Sequence, residues 1–196
     1  MGKGMIDSFR SVALVLLAAG RSSRFGTIKQ RAMIDGEFLL RKTAQIYQPF
    51  PFLMRIAVVR DYCPDITDVG FVAEPVDDSR TMSASLAAGV RRALMAKPQA
   101  IMVALGDMPF VSSGHIRKLV DAFDGRSVAS WDGAAIRPPA VFGPDMFAKL
   151  QNLSGDKGAK SLLDEARRVP ADPLELGDID TPEDIEKLSQ QQLRQG

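Results

Sequence analysis

The sequence predicts a single α/β domain built on a mostly parallel sheet, and three observations carry that expectation. Val12 to Ala18 is an unbroken apolar run closed by Gly20, as expected of a central strand covered on both faces. Ile101 to Leu105 is a second run of the same kind. Stretches with helical spacing lie between and after them, so strands alternate with helices as in βαβ units.

The remaining elements follow in order. Glu37–Tyr47, with Phe38, Leu39, Ala44 and Ile46, reads as a helix, and Ile56–Val59 and Gly70–Ala73 read as short strands. Met82, Leu86, Ala87, Val90 and Leu94 fall near helical spacing, so a helix is expected over about Ser83–Met95. Ser113 opens another, with Ile116, Leu119, Val120 and Phe123 on one stripe. Beyond Gly125 come short strands at Ser127–Trp131 and Ala140–Phe142, then helices at Pro144–Leu150 and Lys157–Arg168. A last helix starts with Thr181 as N-cap and Pro182 in the first helical position. The domain is expected to span residues 1–196, with flexible ends at 1–10 and 190–196.

Composition narrows the function classes. With 45% hydrophobic and 25% charged residues, the 196-residue chain can bury a sizeable core and is expected to be soluble. A formal net charge of +1 argues against a broad nucleic-acid footprint but allows a local basic patch for a small phosphorylated ligand. The one cysteine, Cys63, cannot form an internal disulfide and fits a reducing compartment. No apolar run approaches the roughly 20 residues needed to span a bilayer, so a cytoplasmic location without a membrane partner is expected.

Three segments carry chemistry. The first strand runs into Leu17-Ala18-Ala19-Gly20-Arg21-Ser22-Ser23-Arg24-Phe25-Gly26-Thr27-Ile28-Lys29. Such a loop offers backbone N–H groups and positive charge to phosphates. It is not a Walker A loop, because Lys29 stands three residues after Gly26 instead of directly after it. The Rossmann glycine spacing is absent too. Taken alone, the loop is equally an ordinary strand-to-helix turn with solvated arginines.

The second strand leads into Gly106-Asp107-Met108-Pro109, which puts a carboxylate at the C-terminal end of a central strand, where open α/β sheets bind ligands. Mg²⁺ takes one or two carboxylates together with waters and substrate phosphates, and Asp107 suits that role. The competing reading is a turn aspartate bonded to its own backbone. The third segment is Gly177-Asp178-Ile179-Asp180-Thr181-Pro182-Glu183-Asp184. The helix dipole accounts for Glu183 and Asp184. Asp178 and Asp180 precede the cap, and either could reach a metal on Asp107 if the chain returns to the same sheet edge.

Together these motifs resemble the MobA-like NTP transferases, especially the molybdenum cofactor cytidylyltransferase branch. The resemblance rests on Leu17 to Gly26 with Lys29, on Met82-Ser83-Ala84-Ser85-Leu86 with Gly89, and on Gly106-Asp107-Met108-Pro109-Phe110-Val111. It continues through Gly155-Asp156-Lys157-Gly158-Ala159 and Asp178 to Asp184. It implies a Rossmann-like three-layer sandwich of the nucleotide-diphospho-sugar transferase type, binding NTP at the C-terminal edge of its sheet.

By that resemblance, Leu17, Ala18, Ala19, Gly20, Arg21, Ser22, Gly26, Lys29, Ser83, Ser85 and Gly106 bind nucleotide. Lys29, Arg24 and Asp107 are catalytic, and Asp107 and Asp180 hold Mg²⁺. The implied partners are an NTP, with CTP favoured, a phosphorylated small acceptor such as molybdopterin, and a molybdoenzyme client. One stretch departs from the branch. Ile136-Arg137-Pro138-Pro139-Ala140-Val141-Phe142 lacks the Gly-His-Pro segment common near the acceptor and matches a Pro-Ala-hydrophobic-Phe version instead. A sugar phosphate or a terpenoid-precursor phosphate is the alternative acceptor, and a non-catalytic pterin carrier is the alternative of another class.

Other residues read as structural. His115, the only histidine, reads as an exposed first-turn residue, Cys63 as a loop residue, Trp131 as packing, and Arg91-Arg92 as solvated.

Overall fold

A computed structural model describes residues 8–20, 29–77, 81–153 and 159–193. Its strands are β1 (Val12–Leu17), β2 (Met33–Ile34), β3 (Glu37–Phe38), β4 (Met54–Val59), β5 (Val72–Pro75), β6 (Ala100–Leu105), β7 (Val128–Trp131), β8 (Ile136–Phe142) and β9 (Arg167–Pro170). The helices are α1 (Leu39–Tyr47), α2 (Met82–Leu94), α3 (Ser113–Ala122), α4 (Pro144–Gln151) and α5 (Pro182–Leu193). Seven strands form one sheet in the order β5-β4-β1-β6-β8-β7-β9, and β2 and β3 form a separate hairpin. β8 alone runs against the other strands of the large sheet.

Successive residues of β1 serve opposite layers, as strand geometry requires. Leu14 and Leu16 join Leu40, Ala44 and Tyr47 of α1 and Ile116, Leu119 and Val120 of α3. Ala13 and Val15 join Leu86, Val90 and Ala93 of α2 and Leu150 of α4. The architecture is therefore the expected three-layer, Rossmann-like α/β sandwich. β1 leads to β4 and β5 on one side while β6 lies on its other side, so the chain reverses direction between β1 and β6. A crevice opens at such a switch point. Among the described residues no helix is long and apolar enough to cross a membrane.

α2 lies close against the sheet at Gly89. A Cβ there would meet Val15 Cγ1 at 2.6 Å and Val58 Cγ2 at 2.7 Å. Both valines are fully buried and stiff about χ1. Gly89→Ala should therefore destabilise by about 1–3 kcal/mol through overpacking, outweighing a helix-propensity gain of up to about 1 kcal/mol. Denaturant unfolding checks this, and a stabilised variant would show that α2 can lift off the sheet freely.

Several expectations are corrected. The helix expected over Lys157–Arg168 is absent from its described part: Lys160–Leu162 is one 3₁₀ turn and Arg167–Pro170 is β9. The composition favours helix, but parallel pairing with Val128–Trp131 decides the backbone. Glu37 and Phe38 belong to β3, not to the first helix. Asp35 and Gly36, both at positive φ, make the tight turn that joins β2 to β3. Gly70, at φ 86°, closes a 3₁₀ turn, so β5 begins at Val72 and not at Gly70. Within the end expected to be flexible, Phe9 is buried and stacks on Phe50 at 4.8 Å.

His115 is also corrected, since it is buried at 2% exposure. Its Nε2 lies 2.7 Å from Ser130 Oγ, and that hydroxyl donates to the Pro139 carbonyl at 2.7 Å. A hydroxyl has one proton, so Nε2–H must be the donor in the first bond and Nδ1 carries the lone pair. Burial lowers the pKa of His115; the Glu175 charge opposes this shift and Lys118 adds to it. Unfolded, the imidazole protonates near pH 6.5. Below that pH the unfolded chain takes up a proton that the folded chain resists, so acidification removes stability until the folded pKa is reached. Between about pH 7.5 and 5.5 the wild type should lose more stability than His115→Gln. Parallel pH slopes in urea unfolding would refute this.

Candidate active site

The crevice at the switch point is a cleft of about 490 Å³ lined by the ends of β1 and β6, the start of α2, and Lys29, Gln30, Arg60 and Asp180. Backbone hydrogen bonds fix its edges. Gly106 N–H donates to Leu17 O at 2.8 Å, closing β6 onto β1. A Cβ on Gly106 would stand 3.0 Å from both Ala18 Cβ and Leu40 Cδ1, so only glycine leaves this joint undisturbed. Ile179 N–H donates to Asp107 O at 3.0 Å, and the Ile179 side chain is buried with Ile34, Leu39 and Phe110. Through that bond a segment more than seventy positions away along the chain returns to the end of β6.

The result is a charged centre at one end of the cleft. Lys29 Nζ donates to Asp107 Oδ2 at 2.9 Å and to Asp180 Oδ1 at 2.7 Å. Lys29 is buried at 8% exposure. Burial pulls its pKa down, but the two carboxylates outweigh burial and raise it, so the ammonium stays charged. Burial pushes the Asp107 carboxyl above its ordinary value; Lys29 pulls it back and the nearby charge of Asp178 pushes it up further. Asp107 Oδ1 is covered by protein and has no hydrogen-bond partner among the described residues.

The first loop is held by side chains that motif reading missed. Gln30 Nε2 donates to Ala18 O at 2.8 Å and Gly20 O at 3.3 Å, and Arg60 Nε donates to Ala19 O at 2.7 Å. Three successive carbonyls of the first loop are thus held from within. In a trans peptide the N–H points opposite its C=O, so the amides of Ala19 and Gly20 are turned away from those contacts. Arg60 Nη1 also donates to Asp77 O at 3.2 Å, bridging this loop to the chain after β5. Thr81 lines the cleft and caps α2, its Oγ1 accepting from Ala84 N–H at 3.2 Å. A helix N-terminus therefore faces the cleft, where it favours anions.

Of the expected site residues, Leu17, Ala18, Ala19, Gly20, Lys29, Ser85, Gly106, Asp107 and Asp180 all line this cleft. Ser83 does not, being fully buried with its hydroxyl unpartnered among the described residues. Arg21, Ser22, Arg24 and Gly26 lie outside the described residues, as do 155–158 of the fourth motif. Asp184 does more than complement a dipole, since its Oδ2 accepts from Thr181 N–H at 2.8 Å and Asp180 N–H at 3.0 Å. It thereby orients the segment that carries Asp180. Cys63 Sγ accepts from Arg60 N–H at 3.5 Å, and the Arg168 guanidinium sits 5.8 Å from the centroid of a half-buried Trp131. Arg91 is exposed, whereas Arg92 is half-buried.

Mg²⁺ is the ion the motifs imply, and the residues fit it. Two carboxylates converge on the Lys29 ammonium, and Asp107 keeps a covered oxygen with no partner among the described residues. Among the described residues no group of three or more His, Cys, Asp or Glu side chains gathers as a metal cage. Mg²⁺ itself takes one or two carboxylates and fills the rest of its shell with water and phosphate oxygens.

Known proteins are similar to this chain in sequence or fold. The purine catabolism protein PucB of Bacillus subtilis (strain 168) is 29% identical over 193 residues, covering 89% of this chain and 94% of its own. The Rv0371c protein of Mycobacterium tuberculosis superposes with a TM-score of 0.80 at 25% identity, covering 92% of this chain and 98% of its own. A nucleotidyl transferase from Methanothermobacter shares the fold with a TM-score of 0.79 at 23% identity, covering 95% of this chain and 99% of its own. The model of the MobA-like NTP transferase domain matches residues 14–169, from β1 into β9. The chain is a nucleotidyltransferase and belongs to the MobA-like NTP transferase family.

Proposed function

We propose that this enzyme transfers the nucleoside monophosphate of an NTP, CTP by preference, to the phosphate of a small acceptor, molybdopterin before others, releasing pyrophosphate. The observation that carries the reading is Lys29 held between Asp107 and Asp180 in the cleft at the ends of β1 and β6. The cleft is of a size to hold one nucleotide. The motif resemblance supports molybdopterin and CTP. A sugar phosphate is the competing acceptor, favoured by the absence of Gly-His-Pro at 136–142.

An oxygen of the acceptor phosphate attacks the α-phosphorus in line, forming the new P–O bond as the α–β bridging bond breaks, and the electron pair leaves with pyrophosphate. A phosphate nucleophile is already ionised near neutral pH, so no basic side chain need take a proton. Lys29 and the N-terminus of α2 neutralise charge that grows on the phosphates, while the amides of Ala19 and Gly20 hold the nucleotide. Asp107 and Asp180 would hold Mg²⁺, which when bound supplies Lewis-acid stabilisation of the phosphoryl oxygens.

Pyrophosphate release tests the reading, with CTP, GTP, ATP and UTP each paired with molybdopterin and with sugar phosphates in the presence of Mg²⁺. Release with CTP and molybdopterin is expected. Release only with a sugar phosphate would replace the acceptor. Tight pterin binding with no release from any pair would make the chain a carrier.

A further inference from the structure

We propose that His115 and Ser130 act as a positioning brace for the acceptor side of the active site, through the Pro138–Pro139 bulge of β8. The inference rests on the transferase reading. It starts from an irregularity in the sheet. β7 and β8 pair regularly at Ala129 opposite Ala140, but the next pair is Ser130 opposite Arg137. Pro138 and Pro139 are therefore extra residues on β8, and neither has an N–H to give to a ladder. The pairing of β8 with β6 stops at the same level, at Val103 opposite Ala140. β8 is antiparallel to β6, so residues 136–139 precede that last pair on the side of the C-terminal end of β6, which leads into Gly106 and Asp107.

The bulge is held by side chains instead of ladder bonds. Ser130 Oγ supplies the Pro139 carbonyl with its proton at 2.7 Å, and His115 Nε2–H supplies Ser130 Oγ at 2.7 Å. Ser130 is fully buried and His115 nearly so. The far end is anchored by α3, whose cap Ser112 donates to Glu175 Oε2 at 2.8 Å and accepts from His115 N–H at 3.1 Å. A polar chain thus runs from a helix start to the bulge through an otherwise apolar layer. Bulges that sit beside active sites re-aim the chain.

This side of β6 is the one the acceptor must use. On the transferase reading the nucleotide would fill the cleft at the ends of β1 and β6, with its phosphates toward Asp107. In-line attack requires the incoming oxygen to stand opposite the leaving pyrophosphate. β8 is the next strand beyond β6, so the bulge lies on the flank of β6 away from β1.

Two experiments test the brace. The first is ¹⁵N NMR of the single histidine in the chain, whose signals need no assignment. The Nε2–H tautomer is expected in the wild type and should be lost or mixed in Ser130→Ala. A wild-type Nδ1–H tautomer would overturn the brace. The second is steady-state kinetics with CTP, molybdopterin and Mg²⁺. Ser130→Ala and His115→Leu should raise the acceptor KM about fivefold to tenfold, the scale of one lost hydrogen bond. The KM for CTP and kcat should stay within about twofold, a change too small to report a lost contact. His115→Gln keeps an N–H donor and should restore the acceptor KM, which a merely space-filling residue would not do. An equal rise in both KM values, or no rescue by glutamine, would make the pair structural only. Wild-type protein that transfers to no acceptor would overturn the transferase reading and the brace with it, an outcome distinct from active wild type with unaffected variants.

Discussion

Lys29→Met is expected to lower turnover by on the order of 10²–10³, the usual cost of losing one preorganised electrostatic contact. Two features set the size of the effect. The ammonium is buried, so its field acts on the phosphates with little screening by water. It is also held at 2.9 and 2.7 Å by two carboxylates from distant segments, so it needs little reorganisation when charge develops. The same variant should lose stability, because Asp107 and Asp180 would face each other without the cation between them. Breaking a fully buried pair costs about 3–5 kcal/mol. Here the carboxylates keep 28% and 46% of their side-chain exposure, so a fraction of that is expected. Pyrophosphate release and thermal unfolding of one preparation, with and without Mg²⁺, read both effects. Turnover near that of the wild type would remove Lys29 from the mechanism, whatever the melting temperature does.

The residues of this centre were legible in the sequence for unequal reasons. Asp107 follows a buried strand directly, so a local pattern places it. Lys29 follows a glycine-bearing loop, where positive charge near phosphate is a chemical expectation. Asp180 was one of two possibilities, and a non-local contact brings it to Lys29: the backbone bond from Ile179 to Asp107, with Ile179 buried in a small apolar cluster.

Gln30 and Arg60 were not legible, because their role is to hold carbonyls 10–12 and 41 positions away and no side-chain motif records that. The same limit hid His115, whose burial follows from how α3 packs and not from its place in the first turn. The fold was readable where periodicity is strong, in β1, β6 and α2. It failed at β9, where Arg167 and Arg168, read as the end of a helix, are held extended by pairing with β7. The Asp35-Gly36 hairpin was a different kind of miss, since its turn chemistry stood in the sequence inside a stretch read as helix.

Asp107→Asn separates catalysis from stability more cleanly than any change at Lys29. The wild-type carboxyl is disfavoured by its surroundings: burial raises its pKa against the pull of Lys29, and one oxygen is covered without a partner among the described residues. The neutral amide removes that desolvation cost, and its Oδ1 can still accept from Lys29, which also keeps Asp180 at 2.7 Å. Folding stability should therefore change little. Turnover should not survive, because an amide lacks the charge to hold a divalent cation against solvent, and the loss is expected to be on the order of 10² or more in kcat. Direct Mn²⁺ titration of the free protein supplies a readout independent of turnover and should show weakened cation binding. A variant that melts like the wild type, binds Mn²⁺ like the wild type and yet transfers no nucleotide would mean that Asp107 contacts the reacting phosphates and that the cation is held elsewhere. A fully active variant would leave Asp107 as a partner that only orients Lys29, and would move the centre of the chemistry to Asp180.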